Sequence, residues 1–166
     1  MARFLAYIFG LAALLFLQEY VFSAINILGV VSIFAYVMII IMLPLNFSRV
    51  WLLIIAFGIG YLMDTVMGSN GLNAICLVWI AFARGTVAEL TMSRDVVMSG
   101  LVPSSYRAGA QGFIMYVLLM CFLFAVPYFL LEMMSFVGLW TTVIRIVAST
   151  VITSTLIYLF HLPFNK

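Results

Sequence analysis

Charge is what this chain has least of. Asp, Glu, Lys and Arg make up 7% of its 166 residues, against 67% hydrophobic residues. With a mean hydropathy of +1.32, a soluble domain of this length has no place to hide its apolar surface. The net charge of +2 comes without any basic tract, which gives no reason to expect nucleic acid as a partner. Cysteine is nearly absent. Cys76 and Cys121 sit singly in apolar runs, the setting of buried thiols and not of a disulfide framework or a thiolate metal site. The single histidine, His161, close to the end of the chain, is not expected to be a metal ligand. Enzyme signatures are missing too. There is no Ser/His/Asp set, no H-E-x-x-H, no phosphate loop and no close pair of carboxylates. The expectation is therefore no catalytic residue, no metal and no cofactor.

What is present is a series of long apolar runs, and they predict an all-α integral membrane protein. Six spans are placed, at about Phe4 to Phe22, Leu28 to Leu43, Val50 to Met67, Leu72 to Leu90, Ala110 to Leu131 and Val137 to Phe160. The first has a basic start at Arg3 but no A-x-A cleavage site after it, so it reads as a retained helix. The second stops before Pro44, which cannot continue a helix. Arg3, Arg49, Arg94, Arg107 and Lys166 all fall on alternate connections or termini, and the other three connections carry no Lys or Arg. The positive-inside rule then places both termini in the cytoplasm. The glycosylation pattern Asn46-Phe47-Ser48 falls on the cytoplasmic side and is discounted. The chain reads as one six-helix domain over 1–166, with a cytoplasmic loop at about 91–109. That loop mixes Met and Val with charge, as a segment lying on the inner interface would.

Ionisable residues inside spans are costly and therefore informative. Glu19, Asp64, Arg84, Glu89 and Arg145 fall within spans, with Glu132 at the outer end of the fifth. At about 1.5 Å per residue, Asp64 lies about 6 Å below the outer turn, Arg145 about 9 Å, Glu19 about 5 Å and Arg84 about 20 Å. Asp64 and Arg84 are thus too far apart in depth to pair. Arg84 is expected to snorkel toward Glu89 and the inner interface. Arg145 is expected to be the counter-charge of Asp64, with Glu19 and Glu132 as rivals. Ala56, Gly60, Asp64 and Gly68 recur every fourth residue and form one small-residue stripe, which lets helices approach closely. Ser149, Thr150, Thr153, Ser154 and Thr155 give the sixth span a hydroxyl-rich surface able to bond across helices, or simply to pack.

The order "LPLNFSR", an apolar helix, "GYLMDTVMGSNGLNA" and "CLVWIAFARG" resembles the rod shape-determining protein MreD family of bacteria. There a G-x-x-x-D helix is followed by a short Gly turn and a G-L-x-A helix start. The matching positions here are Gly60, Asp64, Gly68, Gly71, Leu72 and Ala74. Gln18, Gln111, "LEMMSF" and "RIVASTVITSTLIYL" are similar to further stretches of the family, so the resemblance covers most of the chain. It implies a non-enzymatic scaffold of the cell-elongation machinery in the bacterial inner membrane. The implied partners are an MreC-like bitopic protein, a RodA-type glycosyltransferase, a penicillin-binding transpeptidase, the actin-like MreB and membrane lipid. The candidate structural and partner-binding residues are Asp64, Gly60, Gly68, Gly71, Asn73, Arg145, Glu19, Arg84 and Arg107. The family resembles in fold the substrate-binding subunits of vitamin transporters, and a vitamin-binding subunit is the alternative reading. Such a subunit docks its energising module through alanine-spaced helices, and Ala2-x-x-x-Ala6 is the one pattern of that kind at a helix start here.

Overall fold

The structure is a computed structural model that describes residues 32–133 and 138–161. Among these residues it is all-helical. The helices are α1 (Val37–Ile41), α2 (Arg49–Met67), α3 (Leu72–Thr91), α4 (Arg94–Ser99), α5 (Ser105–Met133) and α6 (Leu139–His161). Four of them, α2, α3, α5 and α6, are long and apolar enough to cross a membrane. They coincide with the third to sixth expected spans. The first expected span, and with it Glu19, lies outside the described residues.

The second expected span takes a different form. Its first residues, 28–31, lie outside the described ones; from Ser32 to Tyr36 the chain is not helical, and among the described residues of this span the helix is Val37–Ile41. Phe34, Ala35, Tyr36, Val37, Ile40 and Ile41 are all buried. Hydropathy marks such a stretch as a span but does not report its backbone conformation. Irregular backbone survives at membrane depth only inside protein, where its polar groups find partners. Here α6 supplies them: the Ser32 N–H donates to Ser149 Oγ at 3.1 Å and the Phe34 N–H to Thr153 Oγ1 at 3.3 Å. Ser149 is about 16 Å along α6, close to its middle. Of the five hydroxyls noted in the sequence, Ser154 and Thr155 instead bond back to the Val151 carbonyl of their own helix.

Arg84 closes the other end of this broken element. It is 2% exposed. Its guanidinium donates to the Leu43 carbonyl, to the Pro44 carbonyl at 3.2 Å and, through Nε, to Tyr116 Oη at 3.2 Å. The expected reach toward Glu89 is thus corrected. The carbonyls freed where Pro44 ends the helical path are nearer than the interface, and a planar fork of donors can satisfy several of them together.

Packing follows chain order. α2 and α3 form an antiparallel hairpin, α3 packs on α5, and α5 packs on α6. At the centre Phe34 meets Phe124 and Tyr128 at 4.9 and 4.8 Å between ring centroids, and Tyr36 meets Phe124 edge-on. Cys76 and Cys121 are buried free thiols, as expected. Gly109 breaks the start of α5 with φ 74°, and the membrane-length apolar stretch of this helix is Ala108–Met133. His161, which seemed idle in the sequence, accepts the Ser105 N–H at 3.3 Å and lies 4.4 Å from the Phe113 ring, tying the end of α6 to the start of α5.

Replacing Ser149 and Thr153 together by Ala leaves one buried and one half-buried N–H group without these acceptors. The double variant is expected to lose about 1–3 kcal/mol of stability, while Ser154→Ala and Thr155→Ala stay within about 0.5 kcal/mol. Thermal unfolding in detergent checks this, and equal effects of the two sets would contradict the roles assigned.

Candidate functional site: the Asp64 hairpin

The α2–α3 hairpin turns within four residues. Gly68 takes left-handed φ 66° after the last turn of α2, and its N–H bonds back to the Asp64 carbonyl. Asn70 at φ 49° and Gly71 at φ 89° complete the reversal. Glycine tolerates these angles without the Cβ clash that other residues meet. Gly71 is the N-cap of α3, and glycine offers no side chain to bond the free N–H groups of the first turn.

Asp64 replaces the missing cap from the preceding helix. Its Oδ1 accepts the Asn73 N–H at 2.9 Å, its Oδ2 accepts the Ala74 N–H at 2.9 Å, and both donors lie in the first turn of α3. The Oδ1 atom also accepts Ser69 Oγ–H at 2.6 Å and Asn73 Nδ2–H at 3.0 Å. A carboxylate at a helix N-terminus meets both free donors and the positive end of the helix dipole. Asn73 Nδ2 further donates to Ser69 Oγ at 2.7 Å, and Tyr36 Oη–H donates to Asn73 Oδ1. The network therefore joins the buried segment before α1 to both arms of the hairpin. Asp64 is 6% exposed, and Asn73 and Tyr36 are fully buried.

Gly60 sits one turn below, where the helices touch. A Cβ there would stand 2.7 Å from the Ala74 nitrogen and 2.9 Å from the Asn73 carbonyl carbon, both backbone atoms. The stripe thus meets α3 at Gly60, with Ala56 and Asp64 buried on the same helix. Close approach at Gly60 is what brings the Asp64 carboxylate within reach of the α3 N-terminus.

The structure does not bring Arg145 to Asp64. Arg145 pairs with Glu132 of α5 at 3.4 Å and lies over the Phe129 ring at 4.9 Å. Depth along a helix does not set lateral position, and α6 packs on α5, away from the hairpin. The expected Asp64–Arg145 pair is corrected: Glu132, named as a rival, takes the arginine, and backbone donors take the aspartate. Arg84 lies apart in its carbonyl clamp. Arg107 falls in the first turn of α5, and its side chain lies outside the described residues. Gly60, Asp64, Gly68, Gly71 and Asn73 do come together. Sequence reading missed Tyr36 and Ser69. The signal for Tyr36 was a tyrosine in an apolar run, which needs a hydrogen-bond partner once buried. For Ser69 it was a short polar residue beside a helix terminus.

Comparison of the chain with protein-family models, with curated proteins and with solved structures found no match.

Asp64→Asn keeps the size of the side chain but replaces one of its two acceptors with a donor. It is expected to cost about 1–3 kcal/mol. Gly60→Ala forces a methyl into the α3 backbone and is expected to cost about as much, in the range for overpacking. Glu132→Ala, which opens a partly exposed pair, is expected to cost about 1 kcal/mol or less. Unfolding midpoints of the three variants check this order. Glu132→Ala proving the most damaging would refute the assignment of Asp64 as the hairpin's cap.

Proposed function

We propose that this protein is a non-enzymatic scaffold of the bacterial cell-elongation machinery, seated in the inner membrane and binding an MreC-like bitopic partner. Through that partner it would support RodA-type and penicillin-binding synthases, and MreB, in maintaining rod shape. The observation that carries the reading is the role of Asp64. The residues on which the MreD resemblance rests, Gly60, Asp64, Gly68, Gly71, Leu72 and Ala74, all belong to one hairpin, and Gly60, Asp64, Gly68, Gly71 and Ala74 act on its geometry. The buried acid is engaged by four donors of its own chain. That suits a framework element better than a reacting group. A second feature supports it. α2 and α3 leave between them an open apolar groove, from Leu53, Phe57 and Tyr61 to Ala74, Val78 and Phe82, of the kind a transmembrane helix fills.

The test is co-purification with the MreC-like protein of the same bacterium, alongside depletion in the cell. The expected outcome is recovery of the partner with the native chain, less of it with Asp64→Ala, and rounded cells on depletion. Failure to recover the partner, with rods persisting after depletion, would rule the scaffold out. A purified protein that retains a vitamin at nanomolar affinity would replace it with the transporter-subunit reading.

A further inference from the structure

The connection between α3 and α5, with the first turn of α5, carries apolar side chains out of the bundle. Met98 and Tyr106 are each 86% exposed, and Leu101 is 49% exposed. The segment is nonetheless held in place. The Asn46 N–H donates to the Gly100 carbonyl at 3.0 Å and the Leu45 N–H to the Leu101 carbonyl at 3.2 Å. Gly100 has φ 64°, and a Cβ on it would come 2.5 Å from Asn46 Cβ, so the two connections are in close contact. Val96 and Val97 pack inward against the core. With one side of this ledge bound to the bundle, Met98 and Leu101 are held outward. Large apolar groups fixed on an exposed surface mark a place of interaction.

The chemistry of the same end indicates what the ledge meets. α2 and α3 are antiparallel, so the start of α2 and the end of α3 share one end of the bundle. Arg49 opens α2 and Arg94 opens α4, and both are exposed. Glu89 and Asp95 are the acidic groups of that end, and neither forms an ion pair with these arginines; among the described residues the ion pair is Arg145–Glu132. Apolar groups at the ends of membrane-spanning helices, beside unpaired guanidinium forks, match the acyl boundary and the phosphates of a bilayer surface.

We propose that this ledge is a phospholipid-binding surface. Met98, Leu101 and Tyr106 enter the boundary between headgroups and acyl chains, and Arg49 and Arg94 hold anionic headgroup phosphates. Binding at the ledge sets how deep the bundle rides in the bilayer at this end. It is independent of the scaffold reading.

The experiment uses the full chain in nanodiscs of phosphatidylcholine alone or mixed with phosphatidylglycerol. Met98→Cys carries an environment-sensitive fluorophore, and the unsubstituted chain, whose two cysteines are buried, serves as the labelling blank. Headgroup spin-labelled phosphatidylglycerol or phosphatidylcholine then quenches the label. The expected result is a label shielded from aqueous iodide and quenched preferentially by the anionic lipid. That preference should fall about fivefold for each of Arg49→Gln and Arg94→Gln. Two results would overturn the proposal. One is iodide quenching equal to that of the free dye, which puts the ledge in water and leaves it for a protein partner. The other is a lipid preference that is absent, or unchanged in both arginine variants.

Discussion

A carboxylate that caps a helix other than its own organises this molecule. The N-terminus of α3 emerges from a turn whose residue types cannot cap it, because Gly71 supplies the left-handed angle and no acceptor. Unpaired N–H groups so close to hydrocarbon would cost several kcal/mol, on the order of an unmade hydrogen bond in an apolar medium. Asp64 removes that cost from the far side of the turn, and several features follow. Gly60 must be small so that the arms close, the turn must be tight so that Asn73 and Ala74 reach the acid, and Tyr36 must arrive to bond the Asn73 amide. The buried acid is accommodated because backbone and side-chain donors surround its two oxygens.

The same pressure, the cost of leaving backbone polar groups dry and unpaired, explains the broken element before α2. Its freed N–H groups are taken by Ser149 and Thr153 of α6, and its freed carbonyls by Arg84 of α3. Three side chains that look expensive in a membrane helix, Arg84, Ser149 and Thr153, satisfy a segment that is irregular. Asp64, Arg84, Ser149 and Thr153 all serve backbone groups of other segments. Arg145 and Glu132 instead form an ion pair, on the partly exposed sides of α6 and α5.

This pattern shapes the functional reading. Asp64 is the residue most suggestive of chemistry, and its acceptors are occupied inside the fold. What remains available lies on outward faces, in the apolar groove of α2 and α3 and on the ledge carrying Met98. Both are outward-facing surfaces of a chain whose long helices are apolar enough to cross a membrane.

Membrane character, the four long helices, the tight Gly68–Gly71 turn and the close helix contact at Gly60 were all legible in the residues. Each depends on local composition or on spacing along one helix, and the bilayer makes both strongly diagnostic. Asp64 and Asn73 were also identifiable as residues of note, because polar groups in apolar runs are rare. Their roles were not. Sequence gives depth along a helix but not which helix lies alongside, so Arg145 matched Asp64 in depth and met Glu132 instead. Hydropathy likewise registered the stretch before Pro44 as apolar without revealing that its backbone leaves the helix. Only the tertiary structure decided those points, because a buried polar group takes the nearest donor or acceptor in space, and that neighbour comes from a distant part of the chain.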